Sequence, residues 1–120
     1  MAWGFSGDKP IYAQLVDKLQ QRIVTGEYPP DSRVAPVREL AEEAGVNPNT
    51  MQRARSELEA RGLVYTRRTA GRFVTEDEEC IAALRADLAR QRLTRFLSEM
   101  EAIGFTRQEI AALMEEDEST

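Results

Sequence analysis

Residues 45–62 read GVNPNTMQRARSELEARG, and the fold turns on how this stretch is read. Asn47 is a side chain that caps helix N-termini, and Pro48 falls at the first helical position, where its missing N–H costs nothing. Met51, Ala54, Leu58 and more loosely Ala60 recur at helical spacing, which predicts an inward face. Asn49, Thr50, Gln52, Arg53 and Ser56 then fall on the outward face, with acids only late, at Glu57 and Glu59. Amides, hydroxyls and a guanidinium in the first two turns are the groups that hydrogen-bond base edges in a major groove. The plainer alternative is a solvated face, since most polar helix faces do no more than meet water.

The neighbours of this stretch sharpen the choice. Upstream, Val37 to Ala44 (VRELAEEA) predicts a short helix with Val37, Leu40, Ala41 and Ala44 inward, Pro36 at its start and Gly45 just past its end. Gly45-Val46 is too short a link for anything but a sharp crossing, the helix-turn-helix arrangement. Downstream, Gly62 stops the second helix, and LVYTRRTAGRFVT predicts a β-hairpin turning around Thr69-Ala70-Gly71. Arg67, Arg68 and Arg72 flank its tip. Arginines on an edge hairpin can simply guard against aggregation. Directly after a helix-turn-helix they also make a basic wing that reaches the backbone or minor groove.

Towards the N-terminus, residues 1–10 read as an extended arm whose Trp3 and Phe5 pack onto the body; an aromatic wedge into DNA is the alternative. Ile11 to about Thr25 predicts an amphipathic helix on Ile11, Leu15, Leu19 and Ile23, with Tyr12 and Val16 alongside and Gly26 as its end. The loop GEYPPDSR is turn-rich, and Pro29-Pro30 excludes helix there. Towards the C-terminus, TEDE (Thr75 to Glu78) reads as a capping box opening a long helix to about Ile103. A second capping box, Thr106 to Glu109, opens a short helix on Ile110, Ala111, Leu113 and Met114, and EEDEST reads as a frayed acidic end. Apolar steps in the long helix slip by five between Leu88 and Leu93, so it offers two packing faces rather than one coiled-coil seam. These helices either fold back on the first domain or pair with a second copy. Pairing doubles the length of duplex read and is the reading preferred, with Leu88, Leu93, Phe96, Leu97, Met100 and Ile103 as the expected dimer interface.

Charge is distributed unevenly along the 120 residues. The formal net charge is −5, yet residues 33–75 hold eight arginines against five acids, while residues 76–120 are net −7. The positive field therefore sits around the reading helix, where it steers a polyanion to one face. With no histidine, neither a Ser–His nor a Cys–His pair can form. The acids of Glu76–Glu79 and Glu115–Glu118 lack EF-hand spacing, and no phosphate-cradling glycine loop is present. No catalytic residue, metal or cofactor is expected. Cys80 alone forms no internal disulfide, no apolar run approaches a membrane span, and the first ten residues lack signal-peptide character. A reducing, cytoplasmic setting is expected.

Three stretches, PIYAQLVDKLQQRIVTGEYPPDSR, APVRELAEEAGVNPNTMQRARSELEARGLV and RTAGRFV, occur in an order and spacing that resemble the winged-helix domain of GntR-family transcriptional regulators. NPNTMQRA and the short two-helix C-terminus resemble the YtrA-like subfamily. The implied fold class is mainly α with a small β-hairpin. A winged helix-turn-helix domain with its N-terminal arm (residues 1–75) precedes a two-helix C-terminal dimerisation segment (residues 76–120). The resemblance implies a bacterial homodimeric repressor on a palindromic double-stranded DNA operator, often beside genes for an ABC-type transporter. It places DNA contacts at Arg38, Asn47, Asn49, Thr50, Gln52, Gly71 and Arg72, with Arg53 adjacent; Arg68 joins them from the hairpin reading. Pro48 stands where many members carry an arginine, Ala35 where a serine is usual, and Asp31 where a glycine is usual. The first departure bears on the operator sequence, and the other two are expected to leave the fold alone. About 45 residues follow the wing, which leaves little room for a metabolite pocket, and no effector is identified.

Overall fold

Apolar side chains at helical spacing in three helices converge on a small sheet, and that convergence builds the core of the first part of the chain. The computed structural model describes residues 3–118. In chain order it contains α1 (Ile11–Val24), β1 (Arg33–Val34), α2 (Val37–Ala44), α3 (Pro48–Ala60), β2 (Val64–Arg67), β3 (Gly71–Val74), α4 (Glu78–Ala102) and α5 (Arg107–Glu118). The chain divides into two compact units, Met1–Leu84 and Arg85–Thr120.

In the first unit Leu15, Leu19, Leu40, Met51 and Leu58 are at most 2% exposed. Each such side chain contributes about 1.5–3 kcal/mol by leaving water. Val34, Leu63, Val64 and Val74 close the core from the sheet side, and Cys80, Ile81 and Leu84 at the start of α4 pack against it. The aromatics of the arm pack there too. Trp3 donates its backbone N–H to the Ala44 carbonyl (3.2 Å) and its Nε1–H to Glu43 (2.9 Å). The Arg22 guanidinium lies 4.3 Å from the Trp3 ring centroid.

Local signals set the helix ends. Gly45 closes α2 at φ +76°, a conformation that costs a β-carbon-bearing residue 1–2 kcal/mol or so. The Val46 N–H then donates back to the Ala41 carbonyl at 3.0 Å, which turns the chain straight into α3. Asn47 caps α3 by accepting the Asn49 N–H (2.7 Å), with Pro48 at the first helical position. Thr106 and Glu109 form the reciprocal capping box of α5, at 3.0 and 3.2 Å.

Five expectations need correction. Ile11, expected in the buried stripe of α1, is 37% exposed, and Gln20 is buried instead. Ala60 is exposed at the end of α3. The cap of α4 is Asp77, which accepts the Glu79 and Cys80 N–H groups at 3.0 and 3.3 Å, rather than Thr75. Thr75 is held back in the sheet region by its N–H donated to the Leu63 carbonyl (2.8 Å), so the helix cannot begin there. The acidic end is helical through Glu118; its last two residues lie outside the described ones. The hairpin has a third strand, because β1 pairs antiparallel with β3 (Arg33 opposite Phe73, Val34 opposite Arg72) in a sheet ordered β1-β3-β2.

In the second unit Ile110 is buried. Of the expected interface residues, Leu88, Leu97 and Met100 are half-buried, while Leu93, Phe96 and Ile103 are 56%, 42% and 70% exposed. Leu113 and Met114 of α5 are exposed beside them in sequence and were not among the expected interface residues.

Candidate nucleic-acid interface

The reading helix presents what its sequence predicts. Met51, Ala54 and Leu58 are buried, while Asn47, Asn49, Gln52 and Arg53 are exposed and Thr50 is half-buried. Since the inward face is fully occupied by core contacts, the polar first turns are free to meet a partner. Arg38, in the first turn of α2, is exposed, and its guanidinium makes no hydrogen bond or ion pair to any described residue.

Several of these side chains already have work within the protein. The Asn47 Oδ1 holds the helix cap, and its amide NH2 makes no hydrogen bond to any described residue. The Arg53 guanidinium lies 3.6 Å over the Tyr12 ring of α1, close enough for a cation–π contact. Gln52 accepts from Arg55 Nη2 at 2.9 Å, which fixes the carboxamide and leaves its NH2 outward, within 3.5 Å of the Ser56 hydroxyl. These two contacts hold the side chain in one orientation.

The wing is stiffened from below. Val64 pairs with Val74, Tyr65 with Phe73, Thr66 with Arg72 and Arg67 with Gly71, leaving residues 68–70 as the tip. Thr69 there adopts φ +65°. Arg67 flanks the tip as expected, and its side chain is folded back onto the wing. Its guanidinium lies 4.2 Å from the Phe73 ring centroid and pairs with the Asp31 carboxylate. The Tyr65 hydroxyl donates to the same carboxylate. These contacts, the tyrosine hydrogen bond foremost and the arginine after it, hold the Asp31 carboxyl below the usual carboxylate range. Asp31 sits at φ +63°, which explains a usual glycine at this position. The aspartate keeps the turn and adds a tie between the loop before β1 and the wing.

Arg72 is likewise engaged, donating from Nε to Glu59 of α3 at 2.6 Å, so it links wing to reading helix. Arg68 at the tip has no hydrogen bond or ion pair to any described residue and is exposed. Gly71 adopts φ +109°, a conformation strained for any side chain, and a β-carbon there would stand 3.2 Å from Arg33 Nε, a contact the guanidinium would have to yield to.

Two residues of this surface escaped the reading of the sequence. Arg33 was counted only as charge, yet it lies on β1 against Gly71. Arg55 is 8% exposed, within the core-facing side of α3. Its spacing from Met51 (four residues) and Leu58 (three) places it on that side, and Glu59 four residues on supplies an ion-pair partner at 3.7 Å. That spacing was the available signal.

Comparison with known proteins agrees with the geometry. The family model described as bacterial regulatory proteins, gntR family, matches residues 11–74, the span from the start of α1 to the end of the wing. An uncharacterized HTH-type transcriptional regulator, YhcF of Bacillus subtilis (strain 168), is 41% identical over 106 residues, 88% of each chain. A GntR family transcriptional regulator from Listeria monocytogenes superposes with a TM-score of 0.85 at 41% identity, covering 93% of this chain and 98% of the other. The DNA-binding domain of AraR in complex with operator ORX1 superposes with a TM-score of 0.55 at 30% identity, over 60% of this chain and 93% of that one. With the helix-turn-helix and the wing matched in sequence and in fold, the protein belongs to the GntR family of bacterial DNA-binding transcriptional regulators, which are not enzymes.

Proposed function

We propose that this chain is a cytoplasmic repressor of the YtrA-like type. It would act as a homodimer on a palindromic operator and control genes beside its own, an ABC-type transporter operon among them. The observation that carries the DNA reading is the exposed first two turns of α3, capped by Asn47 and backed by the core, with Arg38 and Arg68 unpaired on the flanking elements. In this reading Asn49, Thr50 and Gln52 face base edges, while Arg38, Asn47, Arg53, Arg68, Gly71 and Arg72 meet phosphates and sugar. Residues 76–120 act as the dimerisation segment. Its apolar residues Leu93, Phe96, Ile103, Leu113 and Met114 are too exposed to serve a lone chain, and two-fold pairing both covers them and sets two reading helices on one duplex.

Footprinting on genomic DNA tests this directly. A protected two-fold site upstream of the chain's own gene is the expected result. Mobility shifts on that site across several salt concentrations should show affinity falling steeply with salt. No specific duplex binding at any salt would turn the reading towards a protein-interaction module.

A further inference from the structure

β1, the start of α2, the middle of α3 and the base of the wing line an open pocket of about 210 Å³, with Arg33, Arg55, Arg72, Gly71, Pro36 and Val37 among its walls. Three guanidinium groups share this space with one nearby carboxylate, Glu59. That carboxylate is taken by Arg72 at 2.6 Å and reaches Arg55 Nε only at 3.7 Å. The Arg33 guanidinium makes no hydrogen bond or ion pair to any described residue. The local balance is three positive charges to one negative. Arg55 is the anomaly: its side chain is 9% exposed, and its buried Nε donates to nothing. A buried cation with an idle donor is costly unless an anion completes its shell. Burial, then the neighbouring Arg72, both disfavour its charge.

The backbone adds to this. α2 starts in the pocket wall with Pro36 at its N-cap and no side-chain cap, so no described side chain satisfies its first-turn N–H groups. The idle side-chain group among these arginines, Arg55 Nε, and the uncapped N–H groups of α2 are all donors, which favours an anion as ligand. Guanidinium forks match the paired oxygens of a phosphate. The pocket is several times the about 30 Å³ share of one liquid water, enough for such an ion.

We propose that this pocket binds one phosphate-type oxyanion bridging Arg33, Arg55 and Arg72. The anion locks the wing base to the reading helix. Through Arg55 Nη2, which holds Gln52 Oε1, it also sets the orientation of a base-reading side chain. The same chemistry is offered by a free phosphate and by a backbone phosphate of a duplex. The pocket itself rests on the arginines and not on the DNA reading.

Inorganic phosphate titrated into the DNA-free full chain, at ionic strength held constant with sodium chloride, tests it by NMR of the arginine Nε–Hε groups. Saturable shifts at Arg33, Arg55 and Arg72, with Arg90 unmoved, are expected. Arg55→Gln should weaken binding by about tenfold or more. Arg33→Gln, on an exposed strand position that tolerates change, should weaken it severalfold and serves if the first variant fails to fold. Shifts that grow linearly, that chloride reproduces, or that survive both substitutions overturn the proposal. A random duplex then separates the sources. Competition by phosphate beyond its ionic-strength effect, lost in Arg33→Gln, assigns the pocket to a backbone phosphate. Simultaneous binding of both assigns it to the free ion. A chain that binds phosphate saturably but no duplex keeps the pocket and refutes the DNA reading instead.

Discussion

The two units carry apolar residues at similar helical spacing and dispose of them in opposite ways. In the first, α1, α2, α3 and the sheet meet from several sides, and Leu15, Ala44, Met51, Ala54 and Val74 are completely buried. In the second, α4 buries no side chain at all, and Leu93, Phe96 and Ile103 stand exposed. Amphipathic spacing therefore states that a face needs covering; only the number of elements that converge on it decides whether the same chain provides the cover. Charge follows the same division, with the arginines around the reading helix and the surplus acids from residue 76 onward.

The contrast is broken most severely through the core. Leu58→Ala should lower unfolding stability by about 2–5 kcal/mol in urea titrations, because the cavity it leaves is walled by packed neighbours. Ile103→Ala, at 70% exposure, should shift the monomer's melt by no more than about 0.5 kcal/mol. Equal losses would mean that the second unit has a core of its own kind. Phe96→Glu or Met100→Glu should next yield monomers in sedimentation and weaken operator binding by about 2 kcal/mol or more. A monomer with undiminished operator affinity would remove the pairing role from α4.

Within the first unit, Gln52→Ala and Arg68→Ala should part company. Gln52→Ala should cost about 1–3 kcal/mol at the cognate site and relax preference at one base. Arg68→Ala should weaken all sequences alike and reduce the salt slope by about 1. Identical behaviour of the two variants on cognate and random DNA would erase the distinction between reading helix and wing. The smallest effect is expected at Asp31. Because its carboxyl is held below the ordinary range in the folded protein, its ties to Tyr65 and Arg67 stabilise fully above the unfolded pKa of about 4 and are lost as pH falls through the lower folded value. The stability gap between the parent and Asp31→Asn should thus be constant near neutrality and close below about pH 4. A gap independent of pH would show that the loop and wing are joined by something other than this carboxylate.

How far the site was legible depended on the reach of each signal. Asn47-Pro48 at the start of α3, Gly45 at the turn before it and the Thr106–Glu109 box are local devices, complete within four residues, and each stands where the residue order places it. The outward run Asn49, Thr50, Gln52 follows from helix period alone. Capping at Asp77 instead of Thr75 was not legible, because Thr75 is claimed by Leu63, twelve residues back. Nor was β1, two residues long with a single buried side chain, which is a strand only because β3 lies beside it.

The amino-acid order by itself determined the helices, the turn between α2 and α3, the polar reading face and the unevenness of charge, since backbone propensity, capping and periodicity act over neighbouring residues. The tertiary structure alone decided which arginines stay available. Arg67 is drawn to Asp31 across 36 residues and Arg72 to Glu59 across 13, while Arg68 is left to solvent. Ion pairs of that span exist only once the loops between the partners have closed, so no local pattern announces them.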